Sequence, residues 1–329
     1  MARRLRAVLT AVFKASGRGS RTLRAASNNN MMYAGIALAA MTDVMALAMF
    51  ATVMALVIFL PSSGDPLAKA PPERLQLWPL EKSERLWLRA LSPLLNPLSW
   101  ILIAAFFWKR IHWDLWLFVA AAFTLGFTLP SIKNTSFWTP SIPGPLRMLV
   151  RKDFRQILTS LDLYCALLIA APALFFRLQG RLPDAAGAPL TMLVLIMMST
   201  CAQTLFGLDG DPGMTRYRLL PIAGWRMLFA KGVAYLFWIL LVTAPLHPVA
   251  GLAGGLASLA TGQFFSIRAR TPQLRWRFRA SASFASSLGV MGSAILAAGV
   301  VIQLGPAWIF AAIALYAASL WHCGQTLHK

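Results

Sequence analysis

Phe206-Gly-Leu-Asp-Gly-Asp-Pro-Gly-Met-Thr-Arg-Tyr-Arg-Leu-Leu-Pro-Ile-Ala-Gly-Trp-Arg-Met-Leu-Phe-Ala-Lys231 is a polar, basic stretch punctuated by proline and glycine. It interrupts two long apolar runs, 189–207 and 228–246. Its first part is dense in Gly, Asp and Pro, which are turn formers. Its second part sets Pro221 at the head of a helical pattern, where the missing N–H costs nothing. Apolar residues follow, with Arg226 and Lys231 reaching outward on long stems. The pattern predicts an elbow on a water-facing side, then an amphipathic helix on the membrane surface leading into a span.

The rest of the chain fits a bilayer. Hydrophobic residues make up 58% and charged residues 13%, with a mean hydropathy of +0.62. That charge content is about half the usual share for a soluble domain. Several apolar blocks reach the roughly 20 residues a spanning helix needs. The expected fold is all-α: a polytopic integral membrane helical bundle of about eight or nine spans, with interfacial amphipathic helices. The net charge of +20 sits in the gaps between apolar runs. Cytoplasmic loops have that character, and anionic lipids, not nucleic acid, are the expected counterpart. Cys165, Cys201 and Cys323 stand apart in apolar surroundings and read as small buried residues, not as a metal or redox cluster. The first long apolar run begins near Met31 and is too long for a signal-peptide core.

Residues 1–25 carry seven bases and no acid. Leu5, Val8, Leu9, Val12 and Phe13 share one helical face, so a basic amphipathic segment on the cytoplasmic surface is expected. Residues 31–130 form a first, shortened membrane unit, with an elbow at 76–89. Asp43 is the lone charge of the run Met31–Leu60 and a candidate intramembrane polar site. It lines a pathway, pairs with an arginine, or marks a helix end at the head groups; the sequence leaves these open. Two further apolar runs, Leu91–Trp108 and Leu115–Leu129, read as a hairpin. Residues 131–147 are proline-rich and read as a linker.

Residues 148–329 form a more regular unit. Six spans are expected, at 160–177, 189–207, 228–246, 249–266, 283–303 and 306–322. The alternating gaps put fourteen basic residues on one side and only Arg177 and Arg181 on the other. The positive-inside rule places the richer side in the cytoplasm. There Arg268, Arg270, Arg275, Arg277 and Arg279 are candidates for lipid head-group contact. Gly251, Gly254, Gly255 and Gly262 line one span, and Gly289, Gly292 and Gly299 another. Small faces let helices approach closely, within one bundle or between subunits.

Pro79 precedes Arg89 by ten residues, as Pro221 precedes Lys231, and Arg85 and Arg226 lie between them. We read a diverged duplication of one elbow unit. It brings a conflict of parity. Two cytoplasmic elbows require Met31–Leu60 to enter from outside, whereas the basic N-terminus favours a cytoplasmic start. Either the first elbow is not cytoplasmic, or Met31–Leu60 is a folded or re-entrant element that returns to its starting side.

Phe206, Gly207 and Asp209, followed by Pro221, Arg226 and Lys231, resemble the loop between the second and third helices of ABC-2-type exporter permeases. The six-span layout from 148 to 329 is similar to one such permease unit. The first half resembles the family only through Trp78-Pro79-Leu80 and Arg85. Met227 stands where the family usually has an acid, and Ala223 where it has a small hydroxyl residue. The resemblance implies that the loop contacts a separate ABC-type ATPase subunit. It further implies that the permease binds no cofactor and works beside a second permease copy or a related one. A bacterial inner-membrane location follows.

Catalytic signatures are lacking. No Walker A sequence cradles phosphates, and no His/Cys pattern suggests zinc. The chain is therefore not expected to be an enzyme. The leading expectation is the permease component of an ATP-driven exporter. The alternatives are a membrane scaffold or immunity-type protein, and a lipid-acting membrane enzyme.

Overall fold

The computed structural model describes Thr10, Glu81, Ser83, Glu84, Trp87, residues 146–205, Tyr217, Leu219, residues 222–268 and residues 283–327. The chain groups into two compact units, Met1–Ala26 with Thr42–Thr135, and Ser27–Met41 with Ser136–Lys329. In the first unit Thr10, Ser83, Glu84 and Trp87 are helical positions. The Glu84 carboxylate accepts the Glu81 backbone N–H at 3.1 Å, a capping contact inside the expected first elbow. Asp43, Pro79, Arg85, Arg89, Phe206, Gly207, Asp209, Pro221, Arg270, Arg275, Arg277 and Arg279 lie outside the described residues.

Among the described residues, the regular elements of the second unit are all helices. Helix α1 (Arg147–Leu158) buries Val150, Asp153, Phe154 and Ile157, which recur at helical spacing. Arg147, Lys152 and Arg155 are exposed. At 12 residues it is about 18 Å long, too short for a roughly 30 Å hydrocarbon core. The Thr159 hydroxyl donates to the Gln156 carbonyl at 2.9 Å as the helix ends.

Helix α2 (Leu161–Leu178) ends at Gly180, whose φ of 66° only glycine adopts cheaply. Gly180 N–H donates to the Arg177 carbonyl and Arg181 N–H to the Phe176 carbonyl, at 3.0 and 2.9 Å. Those two bonds make a Schellman cap. Helix α3 (Asp184–Gln203), α4 (Gly224–Thr243), α5 (Pro248–Arg268) and α6 (Phe284–Leu304) follow. Ser283 caps α6 in a capping box with Ser286. Gly305 turns the chain into a short 3-10 segment, Pro306–Trp308, which runs into α7 (Ile309–Thr326).

Among the described residues, four helices are long and apolar enough to cross a membrane: α3, α4, α6 and the joined segment Pro306–Thr326. Each of the six expected spans of this unit overlaps a helix, and α3 and α4 begin well before their expected starts. The α3 helix starts at Asp184, not 189. Pro183 is extended, Asp184 sits at the positive helix end, and the alanine-rich turn outweighs Pro189. Helix α4 starts at Gly224, directly after an extended Ala223, and passes through Leu228 unbroken.

Helix α5 is central and packs against α3, α4, α6 and α7; α1 lies on α4, and α2 lies on α3 and α4. Its glycines permit this. A Cβ on Gly262 would stand 2.8 Å from the Ala202 carbonyl carbon of α3. One on Gly254 would stand 2.9 Å from the Ala294 carbonyl oxygen of α6. The α5 small residues thus serve packing inside one bundle. Polar bonds also join the helices, among them Tyr235 to Ser258 at 3.0 Å, Thr261 to Ser293 at 2.9 Å, and Ser319 to the Ala260 carbonyl at 2.8 Å.

Side-chain contacts sort the two ends. At one end the Arg177 guanidinium donates to the Pro245 and Leu246 carbonyls, both at 2.7 Å. This fastens the α4–α5 turn to the end of α2, with a cation beside the negative end of α4. At the other end lie the start of α4, the last turn of α7 and the buried face of α1.

Candidate functional site

Helix α4 carries Met227, Leu228, Ala230, Lys231, Ala234 and Tyr235 on its buried side. Lys231 therefore points into the bundle. Its ammonium stands 3.3 Å from Asp153 Oδ1, and the two side chains are 1% and 2% exposed. It also donates to the Leu205 carbonyl at 3.1 Å and lies 5.2 Å from the centre of the Tyr217 ring. Lys152 donates to the Tyr217 hydroxyl at 2.8 Å and stands 5.1 Å from the same ring centre. Beside this cluster Phe154 of α1 meets Phe237 and Trp238 of α4 edge-on, at 5.0 and 6.1 Å between centroids.

Four pieces of chain meet at Lys231: α1 through Asp153, the end of α3 through Leu205, the returning chain through Tyr217, and α4 itself. The stretch 206–216 leaves at Leu205 and returns at Tyr217, so both of its roots rest on one ammonium. An ammonium has three donors and no acceptor. Here it faces a carboxylate, a carbonyl and a π face.

Burying such a pair costs several kcal/mol per ion before the attraction is counted, and an apolar pair of similar size often packs as well or better. Stability alone is a poor reason for it. An ionisable pair embedded in apolar helices is a functional-site hypothesis by default.

The amphipathic surface helix expected over Leu219–Lys231 takes a different form. Tyr217 and Leu219 are helical positions, Ile222 and Ala223 are not, and Trp225–Lys231 is the opening of α4. Nor does Lys231 reach toward head groups. With Asp153 as its counter-ion, its charge is met inside the protein. Arg226 is exposed and lies 5.3 Å from the Trp225 ring centre, so the two cations of the stretch have opposite surroundings. Arg268 is the last residue of α5.

Sequence reading missed Asp153. A signal was present, because this one acid among Arg151, Lys152 and Arg155 falls in register with Val150, Phe154 and Ile157. Cys165, Cys201 and Cys323 are buried free thiols. Cys201 Sγ lies 3.6 Å from the Ser160 hydroxyl, which in turn donates to Asp162 at 2.9 Å. Among the described residues no group of three or more His, Cys, Asp or Glu stands close enough to hold a metal ion. No protein-family model, curated protein or solved structure matches the chain.

Proposed function

We propose that this chain is the transmembrane permease component of an ATP-driven exporter in the bacterial inner membrane, with eight or nine crossings. A separate ABC-type ATPase subunit drives it, and a second permease copy or a related permease completes the assembly. The observation that carries the reading is Lys231, the last residue of the exporter-like stretch. It is buried where both roots of 206–216 meet α1 and α4. A force on that stretch enters the bundle through this junction. Helix α4 then carries it along 20 residues, about 30 Å of rod. Phe206, Gly207, Asp209 and Pro221 would face the ATPase, with Arg226 as the exposed contact and Lys231 as the inner anchor. Pro79, Arg85 and Arg89 would form the second contact, and Asp43 a polar site in the pathway.

The test is recovery of the partner. Mild cross-linking of native membranes and affinity capture of the chain should recover a nucleotide-hydrolysing subunit. Arg226→Ala should cut the ATPase activity recovered about tenfold, the loss expected for one charged contact of roughly 1.4 kcal/mol. Its melting temperature should not change, because Arg226 is exposed. Capture that brings no ATPase, or an Arg226→Ala chain that couples normally, removes the exporter reading.

A further inference from the structure

We propose that Tyr316 is a positioning residue for the charged junction: its hydroxyl is a stop that seats on Gly232 of α4 and keeps Lys231 turned toward Asp153. Helix α7 packs against both α4 and α5. Tyr316, on its buried face, reaches α4 at the residue next to Lys231. A Cβ on Gly232 would overlap the Tyr316 hydroxyl oxygen and stand 3.0 Å from the ring carbon Cζ. Only a glycine admits the hydroxyl there. Leu228, Phe229, Tyr235 and Leu236, three and four residues away along α4, all carry large side chains. Helix α4 therefore cannot slide or turn past the hydroxyl without losing its seat, and either movement draws Lys231 off Asp153.

A stop must itself be held, and the polar groups around Tyr316 show how. Its hydroxyl faces the Gln263 side chain of α5. Both residues are buried. Ser319, one turn further along α7, has its hydroxyl 3.3 Å from Gln263 Oε1 and 2.8 Å from the Ala260 carbonyl. A hydroxyl has one proton. The shorter contact takes it, so Ser319 can only accept from Gln263. With Oε1 turned to Ser319, moreover, Gln263 Nε2 and the Tyr316 hydroxyl are both left without a partner. A half-turn of the carboxamide, whose two ends are alike in shape, removes both faults. Nε2 then donates to Ser319 Oγ, and Oε1 accepts the Tyr316 proton. A relay from Tyr316 through Gln263 and Ser319 to the Ala260 carbonyl fixes the hydroxyl to α5 and satisfies each buried polar group in it.

The experiment reads the burial of Lys231 in the whole chain in a neutral detergent, without any partner, so its outcome is independent of the exporter reading. N-acetoxysuccinimide acylates accessible amines, and the rate at Lys231 is followed by peptide mass spectrometry. The Lys231 side chain is 1% exposed and should react slowly in the parent. Gly232→Ala should speed the reaction about 30-fold, the middle of the usual range for overpacking. Tyr316→Phe alone should speed it about fivefold, the net worth of one hydrogen bond. The two together should react within about twofold of Tyr316→Phe alone, because the oxygen that the new methyl group would strike is gone. In a Gln263→Leu chain Tyr316→Phe should no longer raise the rate, since the hydroxyl has already lost its partner.

Three results overturn the proposal. Lys231 in the Gly232→Ala chain reacts no faster than in the parent. The double variant reacts as fast as Gly232→Ala, which makes the effect a general loosening of the bundle. Or Tyr316→Phe raises the rate equally in the parent and in the Gln263→Leu chain, which means that Gln263 does not hold the hydroxyl. Where Gly232→Ala yields no folded chain, Tyr316→Phe in those two backgrounds decides alone.

Discussion

Helices α5 and α6 are both glycine-rich, yet they use their glycines differently. Around α5 the neighbours come so close that a Cβ at Gly254 or Gly262 would meet a backbone carbonyl. On α6 nothing lies within 4 Å of a Cβ placed on Gly292, and the nearest atom to one on Gly299 is 3.8 Å away. The same contrast runs through the unit. The most apolar window of α3 is 72% buried and that of the segment ending in α7 only 22%. Between helices in lipid, close contact replaces the hydrophobic effect as the cohesive force. A small residue therefore counts only where another helix fills the space it leaves. Sequence shows the small residues and not their neighbours, so both helices read alike before the structure.

Three substitutions sharpen this division between centre and rim. The largest effect belongs to the charged centre. Asp153→Ala strands a buried ammonium and should cost about 3–5 kcal/mol, read as loss of the folded state in detergent denaturation. The pair Asp153→Leu with Lys231→Met should recover most of that loss. A single variant as stable as the parent would mean that Lys231 finds water, and the junction would then lie at the rim. Next comes Gly262→Leu, which forces the α3 and α5 backbones apart and should cost about 1–3 kcal/mol in the same measurement. The smallest is Gly292→Leu, expected to stay within about 0.5 kcal/mol of the parent. A loss there equal to that of Gly262→Leu would show that a second molecule covers α6.

The bundle itself was legible. Apolar runs of the right length, separated by charged gaps or by proline- and glycine-containing breaks, overlap all six helices from 161 to 326. The ends of α3 and α4 slipped because Pro189 and Arg226 look like boundaries to a hydropathy reading. In the folded chain the first is tolerated inside a helix and the second sits exposed on one. The candidate site was half legible. Lys231 stood out as the end of a family-like stretch, and its fate did not. A lysine beside Met227, Leu228 and Tyr235 looks like a head-group anchor until its partner is known. That partner, Asp153, lies 78 positions away on another helix. No local pattern announces such a pairing.

The first residue of α4 lies against the last turn of α7: a Cβ on Gly324 would stand 2.7 Å from the Trp225 nitrogen, and one on Gly224 would stand 3.1 Å from the Leu327 Cβ. A reporter enzyme fused beyond Leu327 therefore reports the sidedness of Lys231 and Tyr217 as well as its own. One fusion, active only in the cytoplasm, fixes the orientation of the whole junction without touching a residue in it.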